Sequence, residues 1–215
     1  MTNDRLDDVY KAASRLFITQ GYGPTQVSQV AKEAGIATGS MYNLFSGKKA
    51  LLHFVLIRTF DPDHSKQEIS HPIPEVPMSV LLGYLNQITN ALFSEVKEAS
   101  SFSQLISGIF DYAARYQVAF NIVNWNNQEF PELGDAYDKA ISELYTLMEA
   151  ILLRFIESGH IRPVEYPRLH IRNILENITW WAMHLPYQEH NAPPPEQARG
   201  IALDVLNHGY MMNPT

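Results

Sequence analysis

The chain has 215 residues, 46% of them apolar and 18% charged, a balance that supports a folded core and excludes wholesale disorder. It contains no cysteine, which excludes disulfides, thiolate metal sites and a cysteine nucleophile. The net charge of −7 hides a split: residues 1–60 sum to +3 and residues 61–215 to −10, as for a small anion-facing head on a larger acidic body.

Helical spacing runs through the chain, with no convincing strand alternation. The first residues carry Asp4, Asp7 and Asp8 where a secretory signal would have basic and then apolar groups, so none is expected. In residues 6–17, Leu6, Val9, Tyr10, Ala13, Leu16 and Phe17 follow i, i+3, i+4, i+7 spacing, and Gly21 can end that helix in a left-handed conformation. Thr25 is a suitable N-cap for a second short helix with Val27, Val30, Ala31 and Ala34 inward. Gly35 stops it, a third short helix spans residues 38–45, and Ser46-Gly47 precede a fourth over residues 48–60. Residues 61–77 contain Pro62, Pro72, Pro74 and Pro77 and cannot form one helix. They read as a linker between a domain over 1–60, including the connecting fourth helix, and another over 78–215. His64, His71, Asp61 and Asp63 sit in that linker without a spacing that enforces convergence, so no metal site is expected.

Beyond the linker the periodicity predicts helices over residues 79–97, 102–116, 117–127, 132–157, 167–187 and 196–210. The longest uncharged stretch, residues 76–94, holds Pro77, Asn86, Gln87, Thr89 and Asn90, which are costly in lipid, and reads as a core helix. A soluble, cytoplasmic protein without a membrane partner is expected.

The strongest signal lies in the first domain. Two short helices joined by Gly35-Ile36-Ala37, behind a longer first helix, have helix-turn-helix spacing. Val30, Ala31, Ile36, Met41 and Phe45 can fill the small core, leaving Thr38, Gly39, Ser40, Tyr42 and Asn43 on the free side of the third helix. Small and hydrogen-bonding groups on such a face suit a major groove. Gly39 costs about 1 kcal/mol of helix propensity, a cost that close approach to DNA would explain. Lys48 and Lys49 open the fourth helix, where cations oppose the helix dipole, so an external anion would suit the site.

The stretch Pro24-Thr25-Gln26-Val27-Ser28-Gln29-Val30-Ala31-Lys32-Glu33-Ala34-Gly35-Ile36, with Thr38-Gly39-Ser40-Met41-Tyr42, Phe45 and Lys48-Lys49-Ala50-Leu51-Leu52, resembles the DNA-binding signature of the TetR family of transcriptional regulators. The likeness covers residues 6–57. It implies phosphate contacts from Thr25, Tyr42 and Lys48, base-edge positions for Thr38, Ser40 and Asn43, a palindromic double-stranded operator, and a homodimer. Three departures stand out: Ala37 where the family often has a capping serine, leaving Thr38 as the expected cap, Leu44 for a frequent histidine, and Lys49 where glutamate is common. These departures leave the operator sequence open.

The acidic body is rich in aromatics, most of them expected in the core. The resemblance adds a small-molecule effector pocket among the middle helices, for which Phe102, Tyr112, Tyr116, Trp125 and Trp181 are candidates. Asp111, Glu149 and Glu176 are read as solvated or paired face residues, with Arg172 and Glu176 as an i, i+4 pair. Asn173, Asn177, Trp180 and His184 form a stripe that suits a ligand site or a subunit interface equally. Small residues Ala198 and Ala202, beside Ile201, Val205 and Leu206, suggest close packing of the last helix on a partner. No nucleophile elbow, phosphate loop or zinc-helix motif occurs, so neither catalysis nor a cofactor is expected. The resulting expectation is an all-α protein: an N-terminal three-helix helix-turn-helix DNA-binding domain and a larger helical ligand-binding and dimerisation domain. It would act as a repressor that a small apolar or amphipathic ligand releases. The alternative is a helical small-molecule-binding or protein-interaction module that does not read DNA.

Overall fold

A computed structural model describes residues 2–62, 70–188 and 192–212. Asp63 and His64 of the linker lie outside the described residues. The architecture is all-α: α1 (Thr2–Thr19), α2 (Val27–Glu33), α3 (Thr38–Leu44), α4 (Lys48–Phe60), α5 (Met78–Glu98), α6 (Phe102–Trp125), α7 (Pro131–Glu157), α8 (Pro167–Thr179), α9 (Leu185–Gln188) and α10 (Pro195–Tyr210), with a π-helical turn at Trp180–His184 joining α8 to α9. Among the described residues no helix is long and apolar enough to cross a membrane.

The chain divides into two compact units. One comprises Met1–Asn86 and Val118–Tyr137, the other Gln87–Gln117 and Asp138–Thr215. In the first, α1 buries Leu6, Val9, Ala13, Leu16 and Phe17 as its periodicity predicts. Tyr10 hydrogen-bonds Thr59 at 3.1 Å, and Arg58 pairs with Asp7, so α1 is tied to α4 at two points. Arg15 pairs with Glu33 and ties α1 to α2. The end of the proline-rich segment also belongs to this core. Ile73 donates its N–H to Leu44 O at 2.7 Å and accepts from Ser46 N–H at 3.0 Å, clamping the C-terminus of α3.

Several expected details are corrected. The N-cap of α2 is Gln26, whose backbone N–H donates to Gln29 Oε1 at 2.7 Å. Thr25 instead turns its hydroxyl inward and donates to Gly21 O at 2.7 Å. Ala37, not Thr38, is the N-cap of α3. Residues 102–125 form a single helix, because nothing between Tyr116 and Gln117 breaks the backbone ladder. The helix expected over 167–187 is interrupted by the π turn, which shifts the register of the stripe that begins at Asn173.

In the second unit α10 packs on α8 and the π turn. Ala198, Ala202 and Leu206 are buried within the unit, so the small residues serve its own core and the exposed face is Ile201 and Val205. Arg172 and Glu176 pair at 2.7 Å, as their spacing predicts.

Candidate nucleic-acid interface

The site begins with the turn between α2 and α3. Gly35 has φ +70°, a left-handed conformation that L side chains rarely adopt. That one residue lets Ile36 N–H reach Ala31 O at 2.9 Å and Gly35 N–H reach Lys32 O at 3.3 Å, the paired bonds of a Schellman ending. The chain thereby reverses in three residues and starts α3 at Thr38.

Inside that turn, Val30, Ala31, Met41 and Phe45 are 0–2% exposed. Phe45 packs its ring 5.2 Å from that of Phe54 on α4. With Met41 and Phe45 anchored, helical geometry throws the intervening positions outward. Thr38, Gly39, Tyr42 and Asn43 are exposed, and Ser40 is half-buried. Tyr42 is 57% exposed, although it is a large aromatic side chain. Among the described residues, its own helix backbone and chain neighbours apart, no heavy atom lies within 4 Å of a Cβ built on Gly39, so internal packing does not require glycine there.

Lys48 and Thr25 sit differently. The Lys48 ammonium donates to Gly23 O at 2.8 Å and lies 4.3 Å from the Tyr22 ring centroid. Burial lowers the Lys48 pKa, with the Glu129 carboxylate opposing that shift. Thr25 is 1% exposed and its hydroxyl is engaged, so in the free chain it organises the loop before α2. Lys49 approaches Glu75 at 3.5 Å, both half-exposed, a pairing of little energetic weight.

The same loop is held from an unexpected direction. Asn126, 7% exposed just after α6, accepts the Tyr22 N–H at 2.8 Å and donates to Ile122 O at 2.7 Å. Phe130 packs its ring 5.2 Å from that of Tyr22, which in turn lies 5.4 Å from Phe17. Burial, with Glu129 and Glu75 nearby, raises the Tyr22 pKa. In sequence these residues look like a polar helix break followed by a proline, and nothing in that pattern names Tyr22 as their partner. His53, 2% exposed on α4, accepts the Val76 N–H at Nδ1 (3.0 Å) and secures the segment beyond Ile73.

The candidate ligand residues are dispersed. Tyr112 and Tyr116 of α6 form an edge-to-face pair, centroids 4.9 Å apart, and both line a groove of about 430 Å³ in the second unit. Phe102 is fully buried with its ring 5.6 Å from that of Tyr210. Trp125 is 44% exposed and belongs to the first unit, while Trp181 is half-buried in the π turn. Among the described residues no group of three or more His, Asp or Glu is placed to hold a metal ion.

A glycine-closed reversal, a buried anchor on each side and a solvent-facing polar helix together define a helix-turn-helix head of the kind transcriptional regulators carry. Residues 9–55 match the family model of the bacterial regulatory proteins of the tetR family, so the head is similar to theirs. Over 78 residues the chain is 31% identical to the HTH-type transcriptional regulator HbdR of Aromatoleum sp. (strain CIB), a match that spans 34% of this chain and 34% of that relative. The ketosteroid transcriptional regulator KstR2 of Mycobacterium tuberculosis shares the fold, with TM-score 0.60 and 18% identity over 97% of this chain and 96% of that one. A Saccharomonospora viridis protein solved in complex with choline shares it too, with TM-score 0.54 and 13% identity over 99% and 100% of the two chains.

Proposed function

We propose that the chain is a homodimeric repressor that reads a palindromic operator through α3 and leaves it when a small apolar or amphipathic ligand binds the second unit. The observation that carries this reading is the outer face of α3, where Thr38, Gly39, Tyr42 and Asn43 are exposed while Met41 and Phe45 are locked beneath them. In this reading Thr38, Ser40 and Asn43 meet base edges, and Gly39 lets the backbone approach. Tyr42 and Lys48 hold phosphates, which fix register without reading sequence. Thr25 supports them by holding the loop before α2.

Lys48 is suited to a switchable contact, because a phosphate would replace a neutral carbonyl and a ring face as its partner. Two heads are needed to read two half-sites on one face of DNA. The exposed Leu169 of α8 and the exposed Ile201 and Val205 of α10 supply an apolar surface for the second copy. Because α6 contributes residues to both units, it is the element through which a ligand could bias the head. Couplings of about 1–3 kcal/mol suffice for such release. A regulator of this kind works in the cytoplasm.

The test is a gel shift with DNA from upstream of the chain's own gene, run over a series of salt concentrations. A retarded band whose affinity falls steeply with salt supports the reading. A folded protein that retards no fragment even at low salt overturns it, leaving a helical ligand-binding or protein-interaction module.

A further inference from the structure

The groove in the second unit is lined by charged, aromatic and aliphatic residues together. It lies between α5, which supplies Ile88, Leu92 and Glu95, and α6, which supplies Gly108, Tyr112 and Arg115. A third charged residue on its wall, Asp111, is already neutralised. Arg199 of α10 holds both Asp111 oxygens, at 2.8 and 3.1 Å, and also bonds Ser107. Glu95 and Arg115 are different: among the described residues neither makes an ion pair or a hydrogen bond.

These two charges stand apart. The Glu95 carboxylate lies against Gly108, where a side-chain Cβ would come 2.5 Å from Oε1. Glycine is a poor residue for a helix interior, and here its missing side chain is what lets the carboxylate lie against α6. Arg115 follows Gly108 by seven residues, two helical turns, so their Cα atoms are about 10 Å apart along the axis. The Tyr112–Tyr116 ring pair and the aliphatic Ile88 and Leu92 share the lining with Glu95 and Arg115.

We propose that this groove binds a dipolar amphipathic molecule, a zwitterion whose ammonium meets Glu95 and whose carboxylate meets Arg115 across an apolar spacer on the scale of the two helical turns from Gly108 to Arg115. A simple cation would leave Arg115 covered and unpaired, and a simple anion would do the same to Glu95. A neutral lipophile would desolvate both charges and satisfy neither. Only a ligand with both ends matches the groove. As the chemical class of the effector, this zwitterion rests on the ligand-responsive reading above, whereas its binding to the groove is measured without DNA.

Isothermal titration calorimetry of the full chain with ω-aminooctanoate, octylamine, octanoate and γ-aminobutyrate tests it. The eight-carbon zwitterion should bind about tenfold or more tightly than either single-charge analogue, the order expected for one added charged hydrogen bond, and more tightly than the short zwitterion. Glu95→Gln should bring its affinity down to that of octanoate, and Arg115→Gln to that of octylamine. Both side chains are exposed, and an unchanged melting temperature confirms that the variants fold. Equal binding of the analogues, indifference to both substitutions, or no heat with any of the four overturns the proposal. Release of operator DNA by uncharged lipophiles, with no zwitterion binding, sinks this proposal and spares the ligand-responsive reading. Zwitterion binding that leaves operator affinity unchanged supports the site and sinks the effector reading instead.

Discussion

Asn126→Ala should loosen the loop that leads into the DNA-reading head, although Asn126 belongs to no motif and lies 104 residues beyond its partner Tyr22. Its Oδ1 accepts the Tyr22 N–H at 2.8 Å and its Nδ2 donates to Ile122 O at 2.7 Å, with the side chain buried. The substitution removes two hydrogen bonds, each contributing about 1 kcal/mol net, and leaves the part-buried Tyr22 N–H without its acceptor. The expected loss is about 2–3 kcal/mol, since an orphaned donor costs more than the average bond is worth. Urea unfolding followed by circular dichroism measures it. With two compact units the transition need not be two-state, so amide hydrogen exchange at Tyr22 serves as the local readout and should accelerate. Asn126→Asp keeps the acceptor for Tyr22 but loses the donor to Ile122 O, so it should recover part of the Tyr22 protection. A loss below about 0.5 kcal/mol with unchanged exchange at Tyr22 would refute the claim that this side chain holds the loop.

The remaining expectations concern the head. Tyr42→Ala and Lys48→Ala should weaken binding to all DNA sequences in gel shifts, and Lys48→Ala should flatten the log–log salt dependence by about one unit. Because Lys48 also bonds Gly23 O, its variant needs a melting curve alongside. Asn43→Ala should cost about 1–3 kcal/mol at one base pair per half-site and relax specificity there, read by binding to single-substitution operators. Phe45→Ala removes a ring that is 2% exposed and should cost about 3–5 kcal/mol, enough to unfold the head and abolish DNA binding in a denaturation and gel-shift pair. Burial lowers the His53 pKa, with Lys49 adding to the shift and Glu75 opposing it. The unfolded state therefore takes up a proton first, so stability is fully present above the ordinary histidine value of about 6.5 and is lost as pH falls from there towards the folded value. His53→Gln should shrink the drop in melting temperature on acidification, and an unchanged drop would assign it to other groups, among them His184, whose pKa burial also lowers.

Local physics made the head legible in the sequence. The 3.6-residue spacing of Leu6 to Phe17, the left-handed requirement met by Gly35, and the alternation of Met41 and Phe45 with Tyr42 and Asn43 are all decided within a few residues, so the order of the helices and the exposed face of α3 could be read directly, though not the caps of α2 and α3. Contacts distant in sequence could not. Nothing near Asn126 specifies Tyr22, nothing in the proline-rich segment specifies that Ile73 clamps Leu44 and Ser46, and the pattern of α10 is equally compatible with Ala198 and Ala202 facing a partner or their own unit. Periodicity says which residues share a face, but which surface that face meets depends on packing. That is why the assignment of residues 118–137 to the first unit, the inward turn of Lys48 and Thr25, and the groove that Glu95 and Arg115 share emerged only from the tertiary structure.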